Sequence, residues 1–321
     1  MVKRVLVTGG TGYLGGVLVK TLSKEYDVRV LVRKSSSIPF GQMKNVQVVT
    51  GDVCDRSSLK EAVRGCDGIF HLAALVKGWV RNPSLFDEVN VAGFRNVAET
   101  AWEEKVSRLI YTSSFLAVGS TESSSEKDPG NLYALSKKKA LALARQYQKE
   151  GYPLVTVIPA VLYGPGAWTE GNHVSRFLRS LWEGNFPGWF DQGKWRWNFA
   201  YVEDVARGEA LAFEKGRIGE EYPLGGEVVS LRDFFTLAAE LFRRPVPRRN
   251  IPEFFLWIRA LCEEGMALAF GREPTLSRGI LATYRHDWAL SDEKARRELG
   301  YTTTPLREAL AETGRWIQET R

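Results

Sequence analysis

Three glycines, Gly9, Gly12 and Gly15, lie between the apolar run Arg4-Val5-Leu6-Val7 and a second run from Val17 to Leu22, so a strand must turn into a helix within eight residues. The stretch Thr8-Gly9-Gly10-Thr11-Gly12-Tyr13-Leu14-Gly15 constrains the fold more than any other. Glycine allows backbone angles closed to other residues and lets the chain approach a pyrophosphate. The free N–H groups at the helix start, at the positive end of its dipole, then hold the anion. The spacing differs by one residue from Gly-x-Gly-x-x-Gly, and a glycine turn by itself is equally an ordinary tight turn. The rest of the chain decides.

Val28 to Val32 reads as a second strand, closing on Arg33-Lys34-Ser35-Ser36-Ser37. An acid at this strand end would bond a free ribose 2′-hydroxyl; Arg33 stands there instead, which favours NADP(H) over NAD(H), the alternative being an arginine resting on the adenine face. A third strand, Val46 to Thr50, ends in Gly51-Asp52-Val53, where Asp52 either meets the adenine amino group or shapes a turn. A helix from Ser57 to Arg64, opened by a serine cap, leads to the buried strand Gly68-Ile69-Phe70-His71-Leu72-Ala73-Ala74. Its small terminal residues admit a cofactor, while His71, with no nucleophile patterned beside it, reads as a packed histidine. The regular part of a long helix starts at Asn90 and runs to about Glu104; then Arg108 to Thr112 makes a fifth strand ending at Ser113 and Ser114. Five strands alternating with helices predict an α/β fold, a Rossmann-type doubly wound parallel sheet, with ligands at the carboxyl ends of the strands.

After a polar loop from Thr121 to Pro129 comes Asn131-Leu132-Tyr133-Ala134-Leu135-Ser136-Lys137 and a helix to about Lys149. Tyr133 and Lys137 are four apart and share a face. An ammonium beside a phenol favours the phenolate and is expected to lower the tyrosine pKa from about 10 towards working pH, as a tyrosine acid/base requires. Lys138 and Lys139 face elsewhere and read as solvated.

Composition removes several classes. The net charge of +6 is scattered, and its densest knot, Arg243-Arg244-Pro245-Val246-Pro247-Arg248-Arg249, lacks the aromatic interleaving of a nucleic-acid surface. The three cysteines and three histidines are dispersed, so neither a disulfide framework nor a metal site is encoded, and a reducing cytoplasm is expected. The N-terminus does not read as a signal peptide, and no uncharged stretch approaches a membrane span; membrane insertion is not expected.

From about Gly166 the periodicity becomes irregular, and residues 166–321 are expected to form mostly a smaller, mixed substrate lobe beside a dinucleotide-binding unit of residues 1–165, with segments around 197–215 returning to the first unit. Trp168, Phe186, Trp189, Phe190, Trp195 and Trp197 either line a cleft or pack the lobe's own core. Glu253 to Phe270 is a strongly apolar helix interrupted by Arg259, Glu263 and Glu264. An apolar substrate would bury against it. Contact with a membrane surface is disfavoured by its acids. Arg196 and Arg278, and less so Arg272, are candidates for holding a sugar-nucleotide diphosphate.

The segments Thr8 to Gly15, Gly51-Asp52-Val53, His71 to Ala74, Asn90 to Gly93, Tyr111 to Ser114, Tyr133 to Lys137, Ile158 to Gly166 and Tyr201 to Ala206 together resemble the extended branch of the short-chain dehydrogenase/reductase superfamily, the NAD-dependent epimerase/dehydratase family. Tyr111 to Phe115 and the Arg33 strand end look most like the dihydroflavonol-4-reductase-like and 3β-hydroxysteroid-dehydrogenase-like members. Phe115 to Thr121 and Arg285-His286-Asp287-Trp288 are similar to plant farnesol dehydrogenase, and Gly216 to Glu220 to the hopanoid-associated sugar epimerases. The resemblance implies hydride transfer between nicotinamide and an alcohol or carbonyl carbon. In it Tyr133 moves the proton, Lys137 tunes it and binds the nicotinamide ribose, and Ser114, at the second serine position of Thr-Ser-Ser, bonds the reacting oxygen. It also implies a cofactor contact near Asn90, a nicotinamide lining from Pro159, Val161 and Leu162, a strand-end contact at Thr112, and a homodimer. Where dehydratase members carry an acidic pair, Phe115 and Leu116 stand here, which counts against sugar dehydration. A nucleotide-sugar epimerase with tightly held NAD and a catalytically silent NADP-binding regulator are the alternatives.

Overall fold

The computed structural model describes residues 3–34, 40, 43–119, 131–271 and 274–320. The predicted loop at 121–129, Ser35 to Ser37 and Arg272 lie outside the described residues. The strands are β1 (Arg4–Thr8), β2 (Asp27–Val32), β3 (Val46–Thr50), β4 (Gly68–His71), β5 (Arg108–Thr112), β6 (Leu154–Pro159), β7 (Val161–Tyr163), β8 (Trp189–Phe190), β9 (Arg196–Tyr201), β10 (Glu221–Leu224), β11 (Glu227–Ser230) and β12 (Asn250–Ile251). Seven of them form a parallel sheet in the order β10-β6-β5-β4-β1-β2-β3. The order reverses between β1 and β4, and a crevice opens there at the carboxyl ends of the strands.

The helices are α1 (Tyr13–Leu22), α2 (Arg56–Val63), α3 (Ser84–Asp87), α4 (Gly93–Glu103), α5 (Phe115–Val118), α6 (Leu132–Lys149), α7 (His173–Trp182), α8 (Val202–Lys215), α9 (Leu231–Leu241), α10 (Glu253–Phe270), α11 (Arg278–Thr283), α12 (Glu293–Leu299) and α13 (Leu306–Glu319). Strand alternation divides the sheet's two faces. Val5 and Val7 point into one core with Leu18 of α1 and Val205 and Phe213 of α8, while Leu6 and Ile69 point into another with Val97 of α4 and Ala140 and Ala144 of α6. A sheet covered on both faces explains why β4 and β6 are buried throughout rather than alternating. A third core, built from β7, β9, α7, α9 and α13, holds the smaller lobe together.

Several local expectations are corrected. α2 begins at Arg56 and is capped by Asp55, whose Oδ1 accepts from the Ser57 N–H at 3.0 Å and the Ser57 hydroxyl at 2.7 Å; the carboxylate outcompetes the serine. Helical structure reaches back from Asn90 to Ser84, and residues 88–92 form a π-helical turn, a local widening that hydrophobic periodicity does not register. Trp197 to Phe199 belong to a separate three-stranded sheet, β11-β9-β7, not to the main sheet. The parts of the second half that join the first are α8, packed along α1, and β10, the edge strand beside β6. No helix among the described residues is long and apolar enough to cross a membrane.

Candidate active site

The glycine turn is closed by the Gly12 N–H donating to the Gly9 carbonyl at 2.9 Å, and it presses against the end of β4. Gly9 has φ +75°, and a Cβ there would sit 2.6 Å from the Ala73 nitrogen; one on Gly15 would sit 2.1 Å from the Gly9 carbonyl oxygen. Only glycine fits both places. Thr8 and His71 tie the same two strand ends together, Oγ1 to Nδ1 at 2.8 Å. Burial, aided by the charge of Lys137, pulls the His71 pKa down to about 3, so the imidazole is neutral and structural. The Tyr13 hydroxyl donates to the Gly164 carbonyl at 2.8 Å, anchoring the first turn of α1 to the chain beyond β7. Leu14 is buried beside it, and Thr11 is half-buried on the turn.

Arg33 emerges exposed at the end of β2, one strand from Asp52. Its charge reaches the Cys54 thiol, where it opposes burial and Asp52, which together push that pKa up to about 11. Asp52 Oδ1 accepts the Cys54 N–H at 2.9 Å, so the aspartate shapes the turn. Val53 is buried against Gly93.

α6 is started by Asn131, whose Oδ1 accepts the Ala134 N–H at 2.9 Å. This helix carries Tyr133 and Lys137 to the end of β5. Ser114, the cap of α5, hydrogen-bonds the Tyr133 phenol. The Lys137 ammonium donates to the Thr112 carbonyl at 2.7 Å and lies 5.0 Å from the centre of the Tyr111 ring. Behind it, the Thr112 hydroxyl donates to Glu209 Oε1 of α8 at 2.7 Å. Burial pulls Lys137 down to about 7 and pushes Glu209 up to about 8, each charge partly supporting the other. Here the expected electrostatics are corrected: burial pushes Tyr133 up to about 12, with Ser114 opposing, because the ammonium is turned towards a carbonyl rather than the phenol. Asn90 does not point its amide into open space. Its Oδ1 accepts the Leu75 N–H at 2.6 Å and its Nδ2 donates to Ser136 Oγ at 2.8 Å, fixing the loop after Ala74 to α6 next to Lys137. Pro159, Val161 and Leu162 cross from β6 to β7 on the far side of β5.

Two residues escaped the sequence reading. Glu209 carries a legible signal, a carboxylate on the buried stripe formed by Val205, Ala206, Gly208 and Ala212. Asn131 reads only as a helix cap, yet its Nδ2 also donates to Thr283 Oγ1 of α11 at 3.1 Å.

The substrate candidates divide. Phe115 follows Ser114, its ring edge-on to Trp288 at 5.1 Å. Trp168 is stacked on Trp316 at 4.3 Å, and Trp189 and Trp197 are buried with their indole N–H groups on the carbonyls of Pro247 and His286. Trp189 and Trp197 belong to the lobe's core, because a ring with its N–H satisfied packs best where it is fully enclosed, and Trp168 is half-buried against that core. Arg196 donates to the Val228 carbonyl and Arg278 is paired with Glu264 at 2.8 Å, so each has a protein partner already. α10 turns its large apolar side chains outward.

A doubly wound sheet with this glycine cradle and a serine, tyrosine and lysine gathered at one strand end defines an extended short-chain dehydrogenase/reductase. The profile of the NAD dependent epimerase/dehydratase family matches residues 5–225, and the chain belongs to that family. It is 31% identical over 332 residues to a protein of Synechocystis sp. named as a dihydroflavonol 4-reductase, covering 97% of this chain and 94% of that one. It is 32% identical over 313 residues to a 4-hydroxy-2-methyl-3-oxo-4-farnesyl-3,4-dihydroquinoline-1-oxide ketoreductase of Stigmatella aurantiaca, covering 93% and 91%. The fold also resembles a dTDP-glucose 4,6-dehydratase double mutant from Streptomyces venezuelae solved with NAD bound, with TM-score 0.78, 26% identity and coverage of 99% and 98%. The residues present fit a dinucleotide: a cradle that a Cβ at Gly9 or Gly15 would fill, a helix start behind it, and a cation at the end of β2.

Proposed function

We propose that the protein is an NADP(H)-preferring oxidoreductase that interconverts an alcohol and a carbonyl on an apolar substrate. The observation that carries this reading is the convergence of Ser114, Tyr133 and Lys137 at the carboxyl end of β5, next to the glycine cradle. The nicotinamide, when bound, supplies or accepts the hydride. The chain's own residues handle the oxygen and its proton. The Ser114 hydroxyl donates a hydrogen bond to the reacting oxygen; the Tyr133 phenol gives that oxygen a proton in reduction and takes it back as phenolate in oxidation. Lys137, held on the Thr112 carbonyl with Glu209 behind it, reaches the nicotinamide ribose. Gly9 to Gly15 hold the pyrophosphate, and Arg33 takes the 2′-phosphate.

The named activities of the Synechocystis and Stigmatella relatives, on a flavonoid and a farnesylated quinoline, support an apolar substrate. A nucleotide-sugar reading is kept by the likeness to the dTDP-glucose dehydratase, though Phe115 and Leu116 take the place of an acidic pair and Arg196 and Arg278 are engaged elsewhere.

The test is turnover with NADP⁺ and NAD⁺ supplied separately, against flavonoid, farnesol-like and steroid-like alcohols and a UDP-hexose. Reduced cofactor accumulating with an apolar alcohol, faster with NADP⁺, is the expected result, and Arg33→Asp should move the preference towards NAD⁺. Epimerised UDP-hexose without net change in nicotinamide would replace this reading.

A further inference from the structure

α10 is eighteen residues long and buries only Ala260 and Ala267. Phe254, Phe255, Trp257, Met266, Leu268 and Phe270 face outward, Phe254 being 67% and Phe270 77% exposed. Contiguous apolar surface on this scale marks a contact with something else. The charges on the helix are all paired or hydrogen-bonded. Glu253 pairs with Arg285, and Arg259 with Glu263 at 2.6 Å. Glu263 and Glu264 are turned back onto the chain at 275–278, where they accept the N–H groups of Thr275, Leu276 and Arg278. Glu263 and Glu264, two of the acids that disfavour membrane contact in the sequence, are thus turned inward and paired, while Glu253 is half-exposed in its pair with Arg285.

Immediately before the helix comes a basic loop in which Arg243, Arg244, Arg248 and Arg249 are all exposed. Arg249 is four residues from Glu253, at most about 14 Å along the chain, so the loop and the phenylalanine-rich first turn of α10 lie beside each other. An apolar helix face flanked by arginines suits an anionic lipid surface, where the rings enter the headgroup boundary and the guanidinium groups meet phosphates. A second copy suits it less well, since a two-fold pairing of this patch offers the exposed arginines no acid that is not already paired. At about 27 Å the helix lies in the plane of the interface, in keeping with no described helix being apolar enough to span a bilayer.

We propose that α10 and the arginine loop seat the protein on the surface of an anionic bilayer. α11 packs on α10 and its Thr283 bonds Asn131, so α10 is linked through α11 to the start of the helix that carries Tyr133. The proposal does not depend on the reaction assigned above, because its readout is binding.

The experiment is sedimentation of the full-length chain with vesicles of phosphatidylcholine alone and of phosphatidylcholine with phosphatidylglycerol. Binding should be roughly ten-fold or more stronger to the anionic vesicles and should weaken as salt is raised. Phe254→Ser combined with Phe270→Ser should remove binding to both, and Arg248→Glu combined with Arg249→Glu should remove the preference for phosphatidylglycerol. Both variants change exposed residues, and an unaltered thermal melt confirms that they fold. Wild-type protein left in the supernatant with both vesicles would overturn the proposal, as would phenylalanine variants that bind like wild type. A stable dimer that those variants dissociate, in a chain that ignores vesicles, would assign the face to a second copy instead.

Discussion

α6 and α10 are helices of equal length with opposite fates. α6 carries three consecutive lysines, yet it buries Ser136, Lys137, Ala140, Leu141, Ala144 and Tyr147 against the sheet. α10 is rich in phenylalanine and leucine and buries two alanines. Burial followed neighbours rather than composition: α6 has small residues along the stripe that meets β5 and β6, so the backbone comes close, whereas α10 has its small residues on the inside and its large ones outside.

The sharpest test of that contrast is chemical. Tyr133→Phe on α6 should lower turnover about 10³-fold while the cofactor still binds, read by steady-state rates together with cofactor fluorescence titration. Activity within ten-fold of wild type would remove the tyrosine from its role. Next comes packing. Ala144→Leu should destabilise the fold by about 1–3 kcal/mol through overfilling, whereas Leu268→Ser on α10 should change it by less than about 0.5 kcal/mol, both measured by denaturant unfolding. A large loss with Leu268→Ser would mean that the outer face of α10 is already covered in the isolated protein.

Much of this was legible in the chain. The glycine turn, the five-strand alternation and the four-residue spacing of Tyr133 and Lys137 are local signals, each complete within a few residues. The aromatics at 189 and 197 were ambiguous because composition does not say whether a ring faces a cleft or a core; indole N–H partners 58 and 89 residues away decided it. Glu209 is 97 residues from Thr112, and only the fold brings them together. The electrostatics of Tyr133 went astray for a related reason, since helix spacing places the lysine near the phenol but the Thr112 carbonyl on another element claims its ammonium.

The smallest effect concerns that buried pair. With Glu209 raised to about 8 from the usual 4.5, the folded chain holds a proton that the unfolded chain has released between those values, so this group's contribution to stability falls as pH rises through the window. Lys137, lowered to about 7 from 10.5, acts in the opposite direction: the unfolded chain binds the extra proton, and its contribution rises between about 7 and 10.5. Glu209→Gln keeps an acceptor for Thr112 and removes the first dependence. The stability of Glu209→Gln relative to wild type should therefore increase from pH 4.5 to about 8 and level off above, as followed by thermal melts. A difference independent of pH would show the carboxylate to be ionised throughout. The same variant should lose several-fold in turnover above about pH 8, where the wild-type carboxylate is ionised and supports the Lys137 ammonium.

Asn131 joins α6 to α11 with a single side chain, its oxygen on the Ala134 N–H and its nitrogen on Thr283. Helix ends open to solvent more readily than helix centres, and the end in question is the turn that carries Tyr133. Any slackening of α11 releases one of the two bonds holding that side chain still, and the Ala134 amide then exchanges its hydrogen with water more quickly. That one amide is a gauge of how firmly α11 is held to the start of α6, readable without substrate, cofactor or turnover.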